Sequence, residues 1–142
     1  MHYLEDFYTK NFKYDLINKF FYTNIKKLPK LKKIVLNFGC KTTNIKTLAT
    51  NLLALELISS KKGCILTLNN NSKVNFIARI LIETLTKIKQ LDGLKLKNEK
   101  RCLSYTIKNS FSFTCLEKHY YLFNHLSNLN ITIITNSCRK EE

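Results

Sequence analysis

The spacing of apolar residues along the 142-residue chain switches repeatedly between the three- and four-residue steps of a helix and the two-residue alternation of a strand. Leu4, Phe7 and Tyr8, then Tyr14, Ile17, Phe20 and Phe21, predict an amphipathic opening helix over Tyr3 to Tyr22, its aromatic stripe read as core. Pro29 forbids helical continuation and sits among Lys26, Lys27, Lys30, Lys32 and Lys33, a basic collar before the first strand. That strand is Ile34 to Phe38, with Ile34, Leu36 and Phe38 on one face and Val35 and Asn37 on the other; Gly39 ends it.

Beyond it, Ile45, Leu48, Ala49, Leu52 and Leu53 predict a helical apolar stripe behind an Asn44 cap, closed by Ser59 to Gly63. Cys64 to Asn69 alternates as a strand, Cys64, Leu66 and Leu68 inward and Ile65, Thr67 and Asn69 outward. After an Asn70-Asn71 turn, Ser72 is expected to cap a long helix whose face is Val74, Ile77, Leu81, Leu85 and Ile88, ending near Gln90. Cys102 to Ile107 and Phe111 to Cys115 read as a hairpin joined by Lys108-Asn109-Ser110, followed by a short helix over His119 to Leu126. The last strand, Leu129 to Thr135, points Leu129, Ile131 and Ile133 inward.

Five strands among three or four helices predict an α+β sandwich, an antiparallel-rich sheet with helices packed on one face and the other face open. In this register the open face presents Asn37, Thr67, Asn69, Ser104, Thr106, Asn130 and Thr132, hydrogen-bonding groups without charge, with lysines at the rim. A slip of one residue would turn all of them inward. Taken singly, each Thr or Asn could simply keep a solvated sheet face soluble.

The length suits one domain, with residues 1–30 forming the helix and collar and residues 31–142 the α+β body. Lys and Arg number 24 against 10 Asp and Glu, a formal charge of +14, which calls for a polyanionic partner. Nucleic acid is the expected one, since each neutralised phosphate releases condensed counterions. No stretch reaches the roughly 18–20 apolar residues of a membrane span. Met1 to Asp6 holds two acids and no Arg, unlike a secretory signal or a transit peptide, so the protein is expected to be made where it works. Heavy use of Lys, Asn, Ile, Phe and Tyr beside scarce Gly, Pro and Trp suggests an AT-rich genome, such as a mitochondrial one.

Catalytic and metal chemistry find little footing. Cys40, Cys64, Cys102, Cys115 and Cys138 are scattered, without zinc-site spacing, and read as small apolar residues buried in strands. His119 and His125 lie six apart, and Gly39, Gly63 and Gly93 form no phosphate loop. Neither an enzyme, nor a metal, nor a cofactor is expected.

The run Tyr14-Asp15-Leu16, continuing through Pro29-Lys30-Leu31-Lys32-Lys33-Ile34-Val35-Leu36-Asn37-Phe38-Gly39, resembles the opening of the large-subunit ribosomal protein five family. The likeness resumes at Gly63-Cys64-Ile65-Leu66-Thr67-Leu68, follows the helix to Ile88, includes Leu91-Asp92-Gly93-Leu94, and closes with Leu129-Asn130-Ile131-Thr132-Ile133-Ile134-Thr135-Asn136. The resemblance implies an RRM-like α+β sandwich in the central protuberance, binding 5S rRNA and large-subunit rRNA beside neighbouring central-protuberance proteins. It also implies a contact with small-subunit ribosomal protein thirteen. With the AT-rich residue bias and a start unlike a transit peptide, the ribosome is expected in the mitochondrial matrix in preference to a plastid, and the protein is expected to be encoded in the organelle. Carried over residue by residue, it assigns RNA binding to Asn37, Phe38 and Gly39, with Lys41 just beyond, to Thr67 and Asn69 on the neighbouring strand, and to Lys32 and Lys33 as phosphate contacts.

Between Ile58 and Gly63 the family's long basic loop towards peptidyl-site tRNA is reduced to Ser59-Ser60-Lys61-Lys62, which puts that tRNA contact in doubt, and the likeness fades over Glu99 to Ser110. A second class of function is a basic peripheral membrane or protein-interaction module that uses the aromatic opening helix.

Overall fold

A computed structural model describes residues 6–39, 44–63, 65–69, 71–87, 97–99 and 101–136 of the chain. Its centre is one five-stranded antiparallel sheet in the order β2-β1-β5-β4-β3. The strands are β1 (Leu31–Phe38), β2 (Ile65–Leu68), β3 (Lys97–Glu99), β4 (Cys102–Ile107) and β5 (Leu129–Thr135). β1 and β5, the central pair, hold the register, with Leu36 opposite Ile131 and Phe38 opposite Leu129.

The alternation expected from the sequence sets the faces. Ile34, Leu36 and Phe38 of β1, Leu66 and Leu68 of β2, and Leu129 and Ile131 of β5 are all buried on one side. Helices seal that side: α2 (Ile45–Ser59) contributes Ala54, Leu55 and Ile58, and α3 (Asn71–Arg79) contributes Phe76. Polar ties among the described residues help hold the helix layer together. Arg79 donates to the carbonyls of Leu57 and Ile58 at the end of α2, at 3.3 and 2.6 Å, satisfying acceptors that a helix C-terminus leaves orphaned. Glu83 accepts from the backbone N–H and the hydroxyl of Thr114 at 3.3 and 2.8 Å, at the start of the short helix α4 (Thr114–Glu117).

The α+β class and the open-faced sheet stand as the sequence predicts, but several elements differ. Phe111 to Cys115 is not a strand: the Asn109 side chain accepts from the N–H of Phe111 at 3.1 Å and its carbonyl accepts from the Ser112 hydroxyl at 3.0 Å, so the chain coils into a 3-10 turn (Ser110–Ser112) and then α4. Phe113 and Leu116, three residues apart and both fully buried, share one face of that coil. The fifth strand is β3 instead, paired to β4 with Lys97 opposite Ser104. The helix expected over His119 to Leu126 shrinks to a 3-10 turn (Tyr120–Leu122), because Phe123 is drawn into the core.

α2 begins behind its Asn44 cap, which accepts from the Lys46 N–H at 3.1 Å, yet the apolar stripe read from the sequence is the wrong side of it. Ile45 is 80% exposed and Leu48 and Leu53 are more than two-fifths exposed, while Asn51, Ala54, Leu55 and Ile58 face the sheet. A helix apolar on most of its circumference lets periodicity choose the face poorly.

In the third helical segment Ser72 lies inside the first turn rather than at the cap, and Phe76 is buried while Leu81 is exposed. A π-helical turn (Ile80–Thr84) takes more residues per turn than the 3.6 assumed, so the face drifts from the expected stripe. Ile88 to Gln90 lie outside the described residues.

The opening segment is helical through a π-turn (Tyr8–Phe12) and α1 (Lys13–Phe20), ending where Phe21 adopts a left-handed φ of 50° and its N–H bonds the Ile17 carbonyl. Among the described residues, Leu16 and Phe20, with Leu28, form a buried cluster there; Tyr14 and Phe21 are 60% and 85% exposed, so the aromatic stripe is not all core. Of the cysteines, Cys102 lies in β4 and Cys115 in α4, both half-buried, so Cys115 corrects the expectation of strand positions; Cys40, Cys64 and Cys138 lie outside the described residues.

Candidate nucleic-acid interface

Strand alternation and register together arrange the open face in rows that cross the strands. One row runs Thr106, Asn130, Asn37, Ile65 from β4 to β2; the next runs Ser104, Thr132, Val35, Thr67. Within them the Thr106 hydroxyl donates to the Asn130 side-chain carbonyl at 2.8 Å, and the hydroxyls of Ser104 and Thr132 lie 3.4 Å apart. The Asn37 amide and the Thr67 hydroxyl make no side-chain hydrogen bond to another described residue, so their donors and acceptors are left for solvent or a ligand. Both point away from the core, as expected.

The face is not purely polar. Val35, Cys102, Ile134 and Ile65, the last 63% exposed, share it with the hydrogen-bonding groups. Apolar patches between polar ones suit sugar and base surfaces, which offer both kinds of contact.

Asn37 and Thr67 are diagonal neighbours on adjacent strands, and Gly39 lies exposed just past the end of β1. Lys32 and Lys33 sit towards the other end of β1, with Lys33 about 13 Å of strand from Asn37. Lys32 is the extra residue of a bulge, where the register shifts between Leu31 and Lys33, and this leaves it exposed although its neighbour Leu31 packs on the core. Asn69 is exposed one residue beyond β2, at the lysine end. Phe38 departs from the expected set: at 3% exposure its ring belongs to the core, and only its backbone borders the face. Lys41 lies outside the described residues.

The two described glycines differ in cause. Gly63 has a φ of +148°, and a side chain there would meet Leu66 Cδ2 at 2.9 Å, so the turn into β2 requires glycine. At Gly39 a Cβ would sit an ordinary 3.6 Å from Asn130 Nδ2, so among the described residues nothing excludes a side chain.

Sequence reasoning missed one residue that braces this end of the site. Asn51, 2% exposed on α2, donates to the Ser127 hydroxyl at 3.3 Å and accepts from the Ser127 N–H at 3.4 Å; the next residue, Asn128, accepts from the Gly39 N–H at 3.4 Å. A polar residue within a run of Leu and Ala was the available signal. No group of three or more His, Cys, Asp or Glu that could hold a metal ion occurs among the described residues, and no described helix is long and apolar enough to cross a membrane.

Fold and face together define a strongly basic α+β protein with one sheet surface sealed by helices and one left open with hydrogen-bonding groups. The chain belongs to the uL5 family of large ribosomal subunit proteins. It is 32% identical to large ribosomal subunit protein uL5c of Chara vulgaris over 97% of this chain and 85% of that protein. It is 29% identical to uL5m of Reclinomonas americana over 100% of this chain and 92% of the relative, and 26% identical to uL5 of Blochmanniella floridana over 98% and 85%. The alignments extend over 162 to 167 positions against 142 residues here, so these relatives carry residues that this chain lacks. No family model matches the chain.

Proposed function

We propose that this protein is a structural constituent of the large ribosomal subunit that binds 5S rRNA, or its organellar equivalent, on the open face of the sheet. The observation that carries the reading is the pair Asn37 and Thr67, outward on adjacent strands with their polar groups uncommitted, on a chain of net charge +14. Neutral donors and acceptors read shape and sugar edges, while lysines supply the salt-dependent attraction. In this reading Asn37, Thr67, Asn69 and the backbone of Phe38 and Gly39 contact RNA directly. Lys32, Lys33 and Lys41 neutralise phosphates.

Family membership supports a non-catalytic, ribosomal role, and it supports the finer placement only by analogy. On that analogy the protein sits in the central protuberance against large-subunit rRNA and neighbouring proteins, facing small-subunit ribosomal protein thirteen. The organellar relatives uL5m and uL5c, with the residue bias of the chain, support an organelle-encoded member working in the mitochondrial matrix. The short turn after α2, over 60–63, offers no long basic loop to a peptidyl-site tRNA.

Co-sedimentation with large subunits, followed by crosslinking in situ, tests the reading. Crosslinks from β1 to 5S or large-subunit rRNA are the expected result; absence from ribosomes would end it. A second reading has an observation of its own: Tyr14, Phe21 and Ile25 are each at least 60% exposed beside Lys19, Lys26 and Lys27, as in a peripheral membrane or protein-docking helix. Flotation with liposomes in the absence of RNA would favour it.

A further inference from the structure

β2 begins at Ile65, opposite Asn37, so Phe38 and Gly39 extend past it with no described partner on that side. Between the end of β1 and the first half of α2 lies a cleft of about 300 Å³, open to solvent. Its floor and walls are Phe38, Leu48, Leu52 and Leu55; Asn37, Gly39 and Ile65 stand at the side that meets the open sheet face. The volume lies at the small end of ligand clefts, room for one flat ring system and too little for a packed helix. This is also where the unpaired apolar side of α2 emerges, with Leu48 44% exposed and Ile45 80% exposed.

We infer that this cleft takes a single unstacked nucleobase from the RNA bound on the sheet. The inference rests on the sheet reading proposed above and extends it from backbone recognition to capture of an extruded base. Three observations select this occupant. The cleft and the open face share Asn37, so a strand of RNA crossing the face reaches the cleft without a break. Gly39, where no described residue would exclude a side chain, leaves the lip bare where a sugar-phosphate backbone would pass. The surrounding charge is positive: Lys46 is exposed in the first turn of α2, a turn without acidic residues. Apolar walls take the faces of a base, and the Asn37 amide can pair with its edge.

The test uses the full chain and two RNA hairpins that differ only by one unpaired adenosine. The bulged hairpin is expected to bind about tenfold tighter, the scale of one captured base. Leu48→Gln, at an exposed position on α2 outside the sheet face, is expected to erase most of that preference and to leave the paired hairpin unaffected. Equal binding of the two hairpins, or a preference that survives this substitution, would overturn the inference. Thr67→Ala, outside the cleft, separates the two readings. It is expected to weaken both hairpins alike; if it does so while the bulge confers nothing, the cleft reading alone fails, and if it weakens neither, both fail.

Because the chain contains no Trp, Leu48→Trp gives a single fluorophore at the cleft wall. Quenching by the bulged hairpin and not by the paired one is the expected signature. Self-association abolished by Leu48→Gln, with RNA binding unchanged, would make the cleft a protein contact and sink the base reading.

Discussion

The hydroxyl of Thr106 donates to the side-chain carbonyl of Asn130 at 2.8 Å, across the β4–β5 pair, and fixes the orientation of an amide that faces Asn37 on the next strand. The two asparagines occupy one row of the open face but differ in duty. Asn130 is held by its neighbour, whereas Asn37 has no such side-chain partner among the described residues. A preorganised row ending in an uncommitted group is suited to recognition, since less ordering accompanies binding.

Removing the uncommitted groups together, as Asn37→Ala with Thr67→Ala, is expected to weaken the specific RNA complex by about ten- to a hundredfold, two direct hydrogen bonds at about 1 kcal/mol or somewhat more each. The dependence on salt should stay as it was, because no phosphate charge is lost. Isothermal titration against 5S rRNA at several salt concentrations measures both; an unchanged affinity would remove the sheet face from the interface.

Lys32→Gln with Lys33→Gln makes the opposite demand. These side chains stand towards the far end of β1 from Gly39, one of them re-aimed by the bulge, and their role is electrostatic. The slope of log affinity against log salt is expected to flatten by about two, for specific and random RNA alike. Loss confined to the specific RNA, with an unaltered slope, would assign them to direct readout instead.

How much of this was legible in the residues follows from which forces set each element. The strands of the central pair were readable because Ile34, Leu36 and Phe38, and Leu129 and Ile131, obey a period of two that leaves no choice of face. From those faces the outward positions of Asn37, Thr67, Ser104 and Thr132 followed. α2 was readable as a helix and unreadable in orientation, since Ile45, Leu48 and Leu53 make as good a stripe as the Ala54, Leu55 and Ile58 side that the sheet selects. Phe111, Phe113 and Cys115 imitate a strand, and the local hydrogen bonds that Asn109 accepts from Phe111 and Ser112 override them. The cleft was invisible to sequence because it depends on how α2 packs beside the end of β1, a matter of tertiary packing.

Cys115 gives a check on packing in the helix layer. Burial is the largest influence on its thiol and pushes the pKa above the ordinary 9.0; Glu83 adds to the rise and Arg79 opposes it. A thiol whose folded pKa is raised favours the folded state below pH 9 and loses that contribution as pH climbs from there through its folded value. Alkylation of Cys115 followed by mass spectrometry is therefore expected to stay slow at pH 8 in native protein and to accelerate after unfolding in urea. Equal rates in the two states would mean that the seat of Cys115 beside α3 is open.

Asn51 links stability to the site. Its side chain holds both the N–H and the hydroxyl of Ser127, and the adjoining Asn128 carbonyl receives the Gly39 N–H. Asn51→Ala would leave the half-buried N–H and hydroxyl oxygen of Ser127 without this partner, an expected cost of about 1–3 kcal/mol, seen as a lower midpoint in urea with an unchanged slope. Asn51→Leu fills the space but restores neither bond, so it should recover little. The same substitutions should speed hydrogen exchange at the Gly39 amide, because its acceptor is no longer braced, while amides in the middle of β1 exchange as before under conditions of local opening. A stability loss that leaves the Gly39 amide protected would make Asn51 a packing residue only, with no hold over the strand end that meets the RNA.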